Sequence, residues 1–523
     1  NDVIENLKSL LSPGVSVYVS GSASEPKGII SLIEENQTFF RDIQWIQFPL
    51  GGTNKKDLSL LGAGSSLKTF FMSPYLKKGV AEGRVSFIPI HMRNIFEFLS
   101  NLELDVAIFQ AARDIDGILR FGPNIDFLDA IMLCARHIII EENSSFLAPR
   151  TCPKVESDRV DLIIQSKSGK PVYPLVEIDN NSQKIGRIVS DLISDGDCLQ
   201  TGIGAVPSAI LANLKNHSDL GFHGGLLDDA VMDLIDSGVI NGSRKKIDRG
   251  KHVTGMALGS ERMLDWLAVN RKADNVLFKS ANYTHEINII SQLENFVSIN
   301  SAIQVDLFGQ VNAEMVGNRQ ISGTGGSVDF MRSACVSKGG RSIVAMSAST
   351  KDRKISKIVP RVDFVTALRT DVDTIVTEYG VAEIKNCSLK DRAKKLIEIS
   401  DYRKKELNEI FNLRTEKRDK TSISHATFYW STEHFAFQRP DFYTSVRMYS
   451  TRNMNMESPY NSEGFLNHHR GDGTNYVYTR GNEYYDISPV YDYMRIPGAT
   501  IVQKDSLHPV SYTHLTLPTN REV

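Results

Sequence analysis

The sequence predicts an α/β protein built from two tandem halves and followed by a short all-β segment. Three observations predict it. In residues 197–240 a short apolar run, Cys198–Thr201, breaks on Gly202-Ile-Gly-Ala-Val-Pro207 and passes into a helix carrying Ile210, Leu211 and Leu214. Near the N-terminus, residues 15–20 break on Gly21-Ser-Ala-Ser-Glu-Pro26 and pass into a helix carrying Ile29, Ile30 and Leu32, with the same spacing from Gly to Pro. After Arg414 the composition shifts to Tyr, Asn, Arg and Met, and residues 443–448 and 475–478 alternate as strands do.

Each element follows from local pattern. Residues 10–14 and 192–196 both end on Gly before a strand, so each copy reads as helix, Gly stop, strand, Gly-x-x-x-x-Pro turn, helix. The first half spans 1–180 and the second 181–413, with the boundary near 180–184 and a binding cleft expected between them at strand C-termini. Residues 85–90 and 106–110 read as buried strands of the first half, and 276–278, 297–299 and 305–307 as strands of the second. His223-Gly-Gly225 is expected to open a helix with apolar positions Val231, Leu234 and Ile235. Residues 396–413 read as one charged amphipathic helix closing the second half.

A strand running into a Gly-rich turn and then a helix brings backbone N–H groups up to an anion or a carbonyl oxygen. The same pattern equally makes an ordinary tight turn in a large α/β domain. Gly202 and Gly204 belong to one such turn. A second Gly cluster contains Gly323, Gly325 and Gly326, whose amides would approach a carbonyl oxygen, followed by Lys338, Gly340 and Arg341, whose cations would reach phosphates or lie solvated. Walker spacing is absent.

Composition narrows the classes. The 523 residues are 41% hydrophobic and 23% charged, enough for large cores, and Lys+Arg 60 against Asp+Glu 62 gives a net charge of −2, so no global field argues for nucleic acid or an anionic membrane. No apolar run is long enough to span a bilayer, and no signal peptide precedes the first helix. The start at Asn1 suggests that the true N-terminus lies upstream. The five cysteines are scattered without paired spacing, which argues against a zinc ribbon or a disulfide scaffold and fits a reducing cytoplasm.

Gly202-Ile-Gly-Ala-Val-Pro207, the stretch at His223, Ser298-Ile-Asn-Ser-Ala-Ile-Gln-Val-Asp-Leu-Phe-Gly-Gln-Val-Asn312, residues 323–330 and Thr377-Glu-Tyr-Gly-Val-Ala-Glu383 occur in a fixed order. That order resembles the acetyl-CoA hydrolase/transferase family, over roughly residues 1–413. The resemblance implies two Rossmann-like halves, an acyl-CoA and a small carboxylic acid as partners, no metal or other cofactor, and commonly a homodimer. It implies a glutamate nucleophile that attacks the thioester, forming an anhydride and then a glutamyl-CoA thioester. Gly326 matches the family's oxyanion glycine, and the 21–26 turn matches its partner from the first half.

Two positions depart from that pattern. The nucleophile's position holds Gly225, which has no side chain. The oxyanion asparagine falls within Asn282-Tyr-Thr-His285, where the best alignment selects Thr284. Three outcomes stay open: Asp228 or Asp229 supplies the carboxylate, unless they are ordinary first-turn helix acids; His223 activates water for direct hydrolysis, unless it is a packed or capping histidine; or the chain binds acyl-CoA without turnover. Glu314 is a further candidate carboxylate, whereas Gln304 offers only a neutral amide where many relatives carry Glu.

Residues 414–424 read as a seam. Phe428-Tyr-Trp-Ser-Thr-Glu-His-Phe-Ala-Phe-Gln-Arg-Pro440, Asn467-His-His-Arg-Gly-Asp-Gly473 and Pro489-Val-Tyr-Asp-Tyr resemble the β-sandwich of polysaccharide lyase family eight, the hyaluronate and chondroitin lyases, within 425–508. Glu457 matches that family's supporting glutamate and Asn461 a nearby asparagine. The helical toroid that carries the family's Tyr and His is absent, so elimination chemistry is not expected from this segment. Residues 509–523 fit neither family and resemble translated sequencing-adapter read-through, and the whole reads as a chimera of two unrelated pieces.

Overall fold

The computed structural model describes residues 2–415, 424–429, 434–439, 441–447 and 474–479. It divides into two units, Asn1–Phe411 and Asn412–Val523. The expected positions Glu457 and Asn461, the tail 509–523 and most of the seam lie outside the described residues.

The first unit is mixed α/β and contains two largely parallel sheets. In the eight-stranded one the spatial order is Val85–Phe87, Ser66–Thr69, Gln44–Gln47, Ser16–Val19, Leu104–Arg113, Ala135–Asn143, Leu162–Ser166, with Leu119–Phe121 antiparallel on Leu104–Arg113. Chain order reverses beside Ser16–Val19, the kind of switch point at which open α/β sheets place ligands, and the buried 21–26 turn follows that strand. Buried apolar runs explain the parallel pairing: Leu104–Arg113 is buried at eight of its ten positions, as a strand covered on both faces must be.

The six-stranded sheet runs Gly221–Phe222, Cys198–Thr201, Phe296–Asn300, Arg341–Ala345, Thr374–Thr377, Gly380–Glu383, all parallel except the last pair. Here too the order reverses beside the strand that precedes a Gly-x-x-x-x-Pro turn. The two turns are nonetheless built differently. After Gly21 the chain makes a short 3-10 turn, Ser22–Ser24, and the helix Lys27–Glu35 starts beyond Pro26. After Gly204 the helix Ala205–Ala212 starts at once and Pro207 sits inside its first turn, where its missing N–H leaves no acceptor unserved.

The largest core draws on both sheets, joining Tyr18, Ile46, Phe109 and Ile140 to Leu199, Phe222, Val297 and Ile343. This shared core is why residues 1–411 pack as one unit. Two expectations are corrected. His223 does not open a helix: Gly224 N–H donates to Val253 O and the Gly225 carbonyl accepts from Gly255 and Met256, so the backbone there is extended. The helix is Asp229–Asp236, capped by Asp228, whose carboxylate accepts from Val231 N–H. Residues 396–413 are not one helix either, because Leu389–Glu398 and Lys404–Thr415 are separated by a turn. The buried Asp401 in that turn binds Arg353, Ser349 and the Tyr379 hydroxyl, three partners that a continuous helix could not present together.

In the second unit four antiparallel strands follow one another in chain order, His425–Tyr429, His434–Gln438, Tyr443–Arg447 and Thr474–Tyr478. Among the described residues no helix is long and apolar enough to cross a membrane, and no cluster of His, Cys, Asp or Glu is arranged to hold a metal ion.

Candidate active site

Position 225 is the point on which the loops of the first unit converge. The Gly225 carbonyl accepts from Met256 N–H at 3.0 Å, and Met256 Sδ lies 3.2 Å from Ser22 Oγ in the 21–26 turn. Asn124 ties the same turn down from the other side, donating to Gly21 O at 3.0 Å. The 323–326 loop docks on the first sheet's segments: Gly325 O accepts from Met92 N–H at 3.1 Å, and a Cβ at Gly323 would sit 2.3 Å from Phe70 O. Gly326, beside the same space, is the N-cap of the helix Ser327–Val336 and makes no side-chain cap bond.

The side chain in that space is His285. A Cβ on Gly225 would lie 2.8 Å from its Cε1 and 3.0 Å from its Nε2, and a Cβ on Gly326 would lie 2.2 Å from Nε2. The imidazole is therefore bracketed by two glycines, and each is required for room. Phe330 packs against the ring with centroids 4.5 Å apart. His285 is buried, and desolvation pushes its pKa down to about 3, so the ring is neutral throughout the physiological range. Thr284 Oγ1 stands 2.8 Å from His285 Nδ1, so Thr284 touches the site through its neighbour. The alignment that selects Thr284 is one residue short of the side chain that faces Gly225.

His223 supports this arrangement from behind. Its Nε2–H donates to Thr284 O at 3.2 Å and its ring stacks on Tyr283, fixing the segment that carries His285. Burial, with Lys245 as a lesser cause, holds its pKa near 3. Gln200, Ser298 and Asn300 form a buried amide and hydroxyl network at the C-terminal ends of the two central strands, with Ser298 Oγ 3.1 Å from Gln200 Oε1.

The acidic candidates each have partners of their own, and those of Glu314 include Thr324 in the 323–326 loop. Asp228 caps its helix, and burial raises its pKa to about 6. Asp229 accepts from both the N–H and the hydroxyl of Ser260 and lies 3.8 Å from Arg262. Glu314 accepts from Gln320 and Thr324, each at 3.2 Å. Lys338 and Gly340 lie past the far end of Ser327–Val336, away from Gly326. Lys338 pairs with Glu294 at the surface, and Gly340 packs on Ala334 O and Ser337. The structure thus brings Gly225, Gly326, Thr284 and the neighbouring His285 together and leaves Lys338 and Gly340 apart.

Gly202 and Gly204 border open space, with nothing within 4 Å of a Cβ on either. Gly204 and Asp228 line a groove of about 300 Å³ together with Tyr173, Ser208 and Arg262. Gly204 has φ 122° and ψ −179°, a region closed to side chains. Gly204→Ala is expected to cost about 1–3 kcal/mol through backbone strain alone, read as a lower urea midpoint at unchanged slope.

A family model described as the acetyl-CoA hydrolase/transferase N-terminal domain matches residues 3–167, and its C-terminal domain counterpart matches 259–409. Residues 202–229 fall between the two matches. A 4-hydroxybutyrate coenzyme A transferase of Clostridium kluyveri is 32% identical over 409 residues, 75% of this chain and 93% of that protein. A butyryl-CoA:acetate CoA-transferase of Anaerostipes caccae is 33% identical over 62% of this chain and 76% of its own length. The crystal structure of RipA from Yersinia pestis superimposes with a TM-score of 0.72 at 28% identity, covering 78% of this chain and 96% of that one. The matching family models and relatives define an enzyme class that works on CoA thioesters. The chain belongs to the acetyl-CoA hydrolase/transferase family. Residues 424–522 match the polysaccharide lyase family 8 super-sandwich domain, a match that runs on through most of the 509–523 tail.

Proposed function

We propose that the first unit acts on a short-chain acyl-CoA thioester, as a hydrolase or as a CoA-transferase with a small carboxylic acid as acceptor. The observation that carries the reading is the 32% identity across nearly the whole length of a CoA-transferase. The geometry is consistent with it. Gly326, the N-cap of Ser327–Val336, lies against the same imidazole as Gly225, and an oxyanion formed from the thioester carbonyl there would gain from a helix N-terminus in a water-poor site. Gly202 and Gly204 would let the CoA chain approach along the open groove, while Lys338 and Gly340 lie too far along the helix to share that task.

In this reading CoA enters and leaves as substrate and product, and no resident cofactor takes part. We extend it to two Rossmann-like halves in tandem, a homodimer and a cytoplasmic setting, each resting on family resemblance. Enzymatic turnover is preferred to silent binding because the relatives include named transferases over most of the chain's length. The test offers acetyl-, butyryl- and 4-hydroxybutyryl-CoA to the full chain with and without acetate or succinate, and follows free thiol for hydrolysis and the new acyl-CoA by chromatography for transfer. Thiol release, or formation of the acceptor's CoA thioester, is expected. Absence of both products from all three substrates would sink the reading.

A further inference from the structure

Resting on that reading, we infer that His285 is the general base of this chain and that water, rather than an enzyme carboxylate, attacks the thioester. Three observations carry it. The imidazole fills the space that a side chain at position 225 would occupy, and two glycines make room for it. Its Nε2 has no hydrogen-bond partner among the described residues, although Nδ1 is held by Thr284. Every carboxylate considered as a replacement nucleophile is bound to its own helix cap, serine or threonine.

Thr284 Oγ1 stands between Ser280 O at 3.4 Å, which can only accept, and His285 Nδ1 at 2.8 Å. The general-base role uses the tautomer in which the hydroxyl donates to Ser280 O and Nδ1–H donates to Oγ1, which leaves the Nε2 lone pair facing Gly225 and Gly326. His223, donating to Thr284 O, holds the same backbone from behind. Thr284 and His223 are positioning residues, and His285 is the group that meets the reacting water.

The step balances without a further reagent. As the water oxygen bonds to the thioester carbonyl carbon, its proton passes to Nε2 and the carbonyl π pair moves onto oxygen, beside the amides of Gly326 and the helix behind it. The oxyanion collapses, the carbon–sulfur bond breaks, and the thiolate leaving with that electron pair takes the proton from Nε2–H. The products are a free carboxylic acid and CoA, and the imidazole returns to its neutral form.

The experiment uses the full chain with butyryl-CoA and follows thiol release without added acid. His285→Ala and His285→Gln are expected to lower kcat about 100-fold or more, with KM changed by less than about threefold. Thr284→Val is expected to lower kcat as well, while Thr284→Ser restores it, a rescue that a merely structural role would not give. Circular dichroism reports folding, and the Gln variant keeps a polar side chain in the buried space should the Ala variant collapse. Folded His285 variants with wild-type kcat would overturn the assignment and leave the acyl-CoA reading standing. Wild-type formation of acetyl-CoA from butyryl-CoA and acetate, with no thiol release in the absence of acid, would do the same. Neither thiol release nor CoA transfer from any acyl-CoA would overturn both.

Discussion

The double substitution Gly225→Glu with His285→Asn is expected to replace thiol release by transfer of CoA from butyryl-CoA to added acetate, read as acetyl-CoA formed, with hydroxylamine or borohydride trapping a glutamyl intermediate. The reason is steric first and chemical second. A Cβ at position 225 meets His285 Cε1 at 2.8 Å, so Gly225→Glu alone overpacks the site, costs about 1–3 kcal/mol and leaves the new carboxylate misplaced. Shortening His285 to asparagine clears that volume and puts an amide donor beside Gly326. The glutamate would then reach a thioester carbonyl as the nucleophile the family resemblance implies. Acid-dependent turnover in the double variant is expected to exceed that of the Gly225→Glu variant by about 100-fold. A double variant that turns over equally with and without acid, and from which nothing is trapped, would show that position 225 is not the nucleophile's place in this chain.

Asp126→Asn is expected to stabilise the protein most at pH 8 and progressively less as pH falls toward 4. Asp126 is buried between the Gly225 segment and the start of Ala281–Thr284: its carbonyl accepts from Ala281 N–H at 2.7 Å, and a Cβ on Gly255 would lie 1.9 Å from its Oδ1. Oδ1 has no partner among the described residues, and desolvation raises the carboxyl's pKa to about 8. The folded protein therefore keeps a proton that the unfolded chain releases near pH 4. Between about pH 4 and pH 8 the native state binds more protons than the unfolded state, so stability falls as pH rises, with a limiting slope of about 1.4 kcal/mol per pH unit. Asparagine is neutral at every pH and removes this contribution. Urea midpoints for both proteins at pH 5, 6.5 and 8 are expected to diverge with pH, and parallel curves would show that Asp126 ionises freely in the folded protein.

Much of this protein was legible in its sequence. The α/β class, the strands at 198–201 and 297–299, the helix carrying Val231, Leu234 and Ile235 and the change of character after Arg414 follow from periodicity, turn chemistry and composition, which are local properties of the chain, and the two family resemblances rest on the order of its motifs. Gly225 stood out as a departure for the same reason: a missing side chain is visible in the text. What occupies the space it leaves was not visible. The strand-like pairing of residues 223–225 puts the helix start at Asp229 rather than His223, because backbone partners at Val253, Gly255 and Met256 come from a distant segment. Thr284 and His285 are equivalent candidates as letters, and only the fold, by turning one toward Thr284's own helix and the other between Gly225 and Gly326, separates them. Lys338 and Gly340, adjacent to the glycine loop in sequence, are carried away from it by the length of one helix. The sequence by itself determined the kind of fold and the ordered set of loops, since those depend on neighbours along the chain. Which side chain stands at the centre was decided by tertiary structure, since burial and room are set by residues that meet only when both sheets share a core.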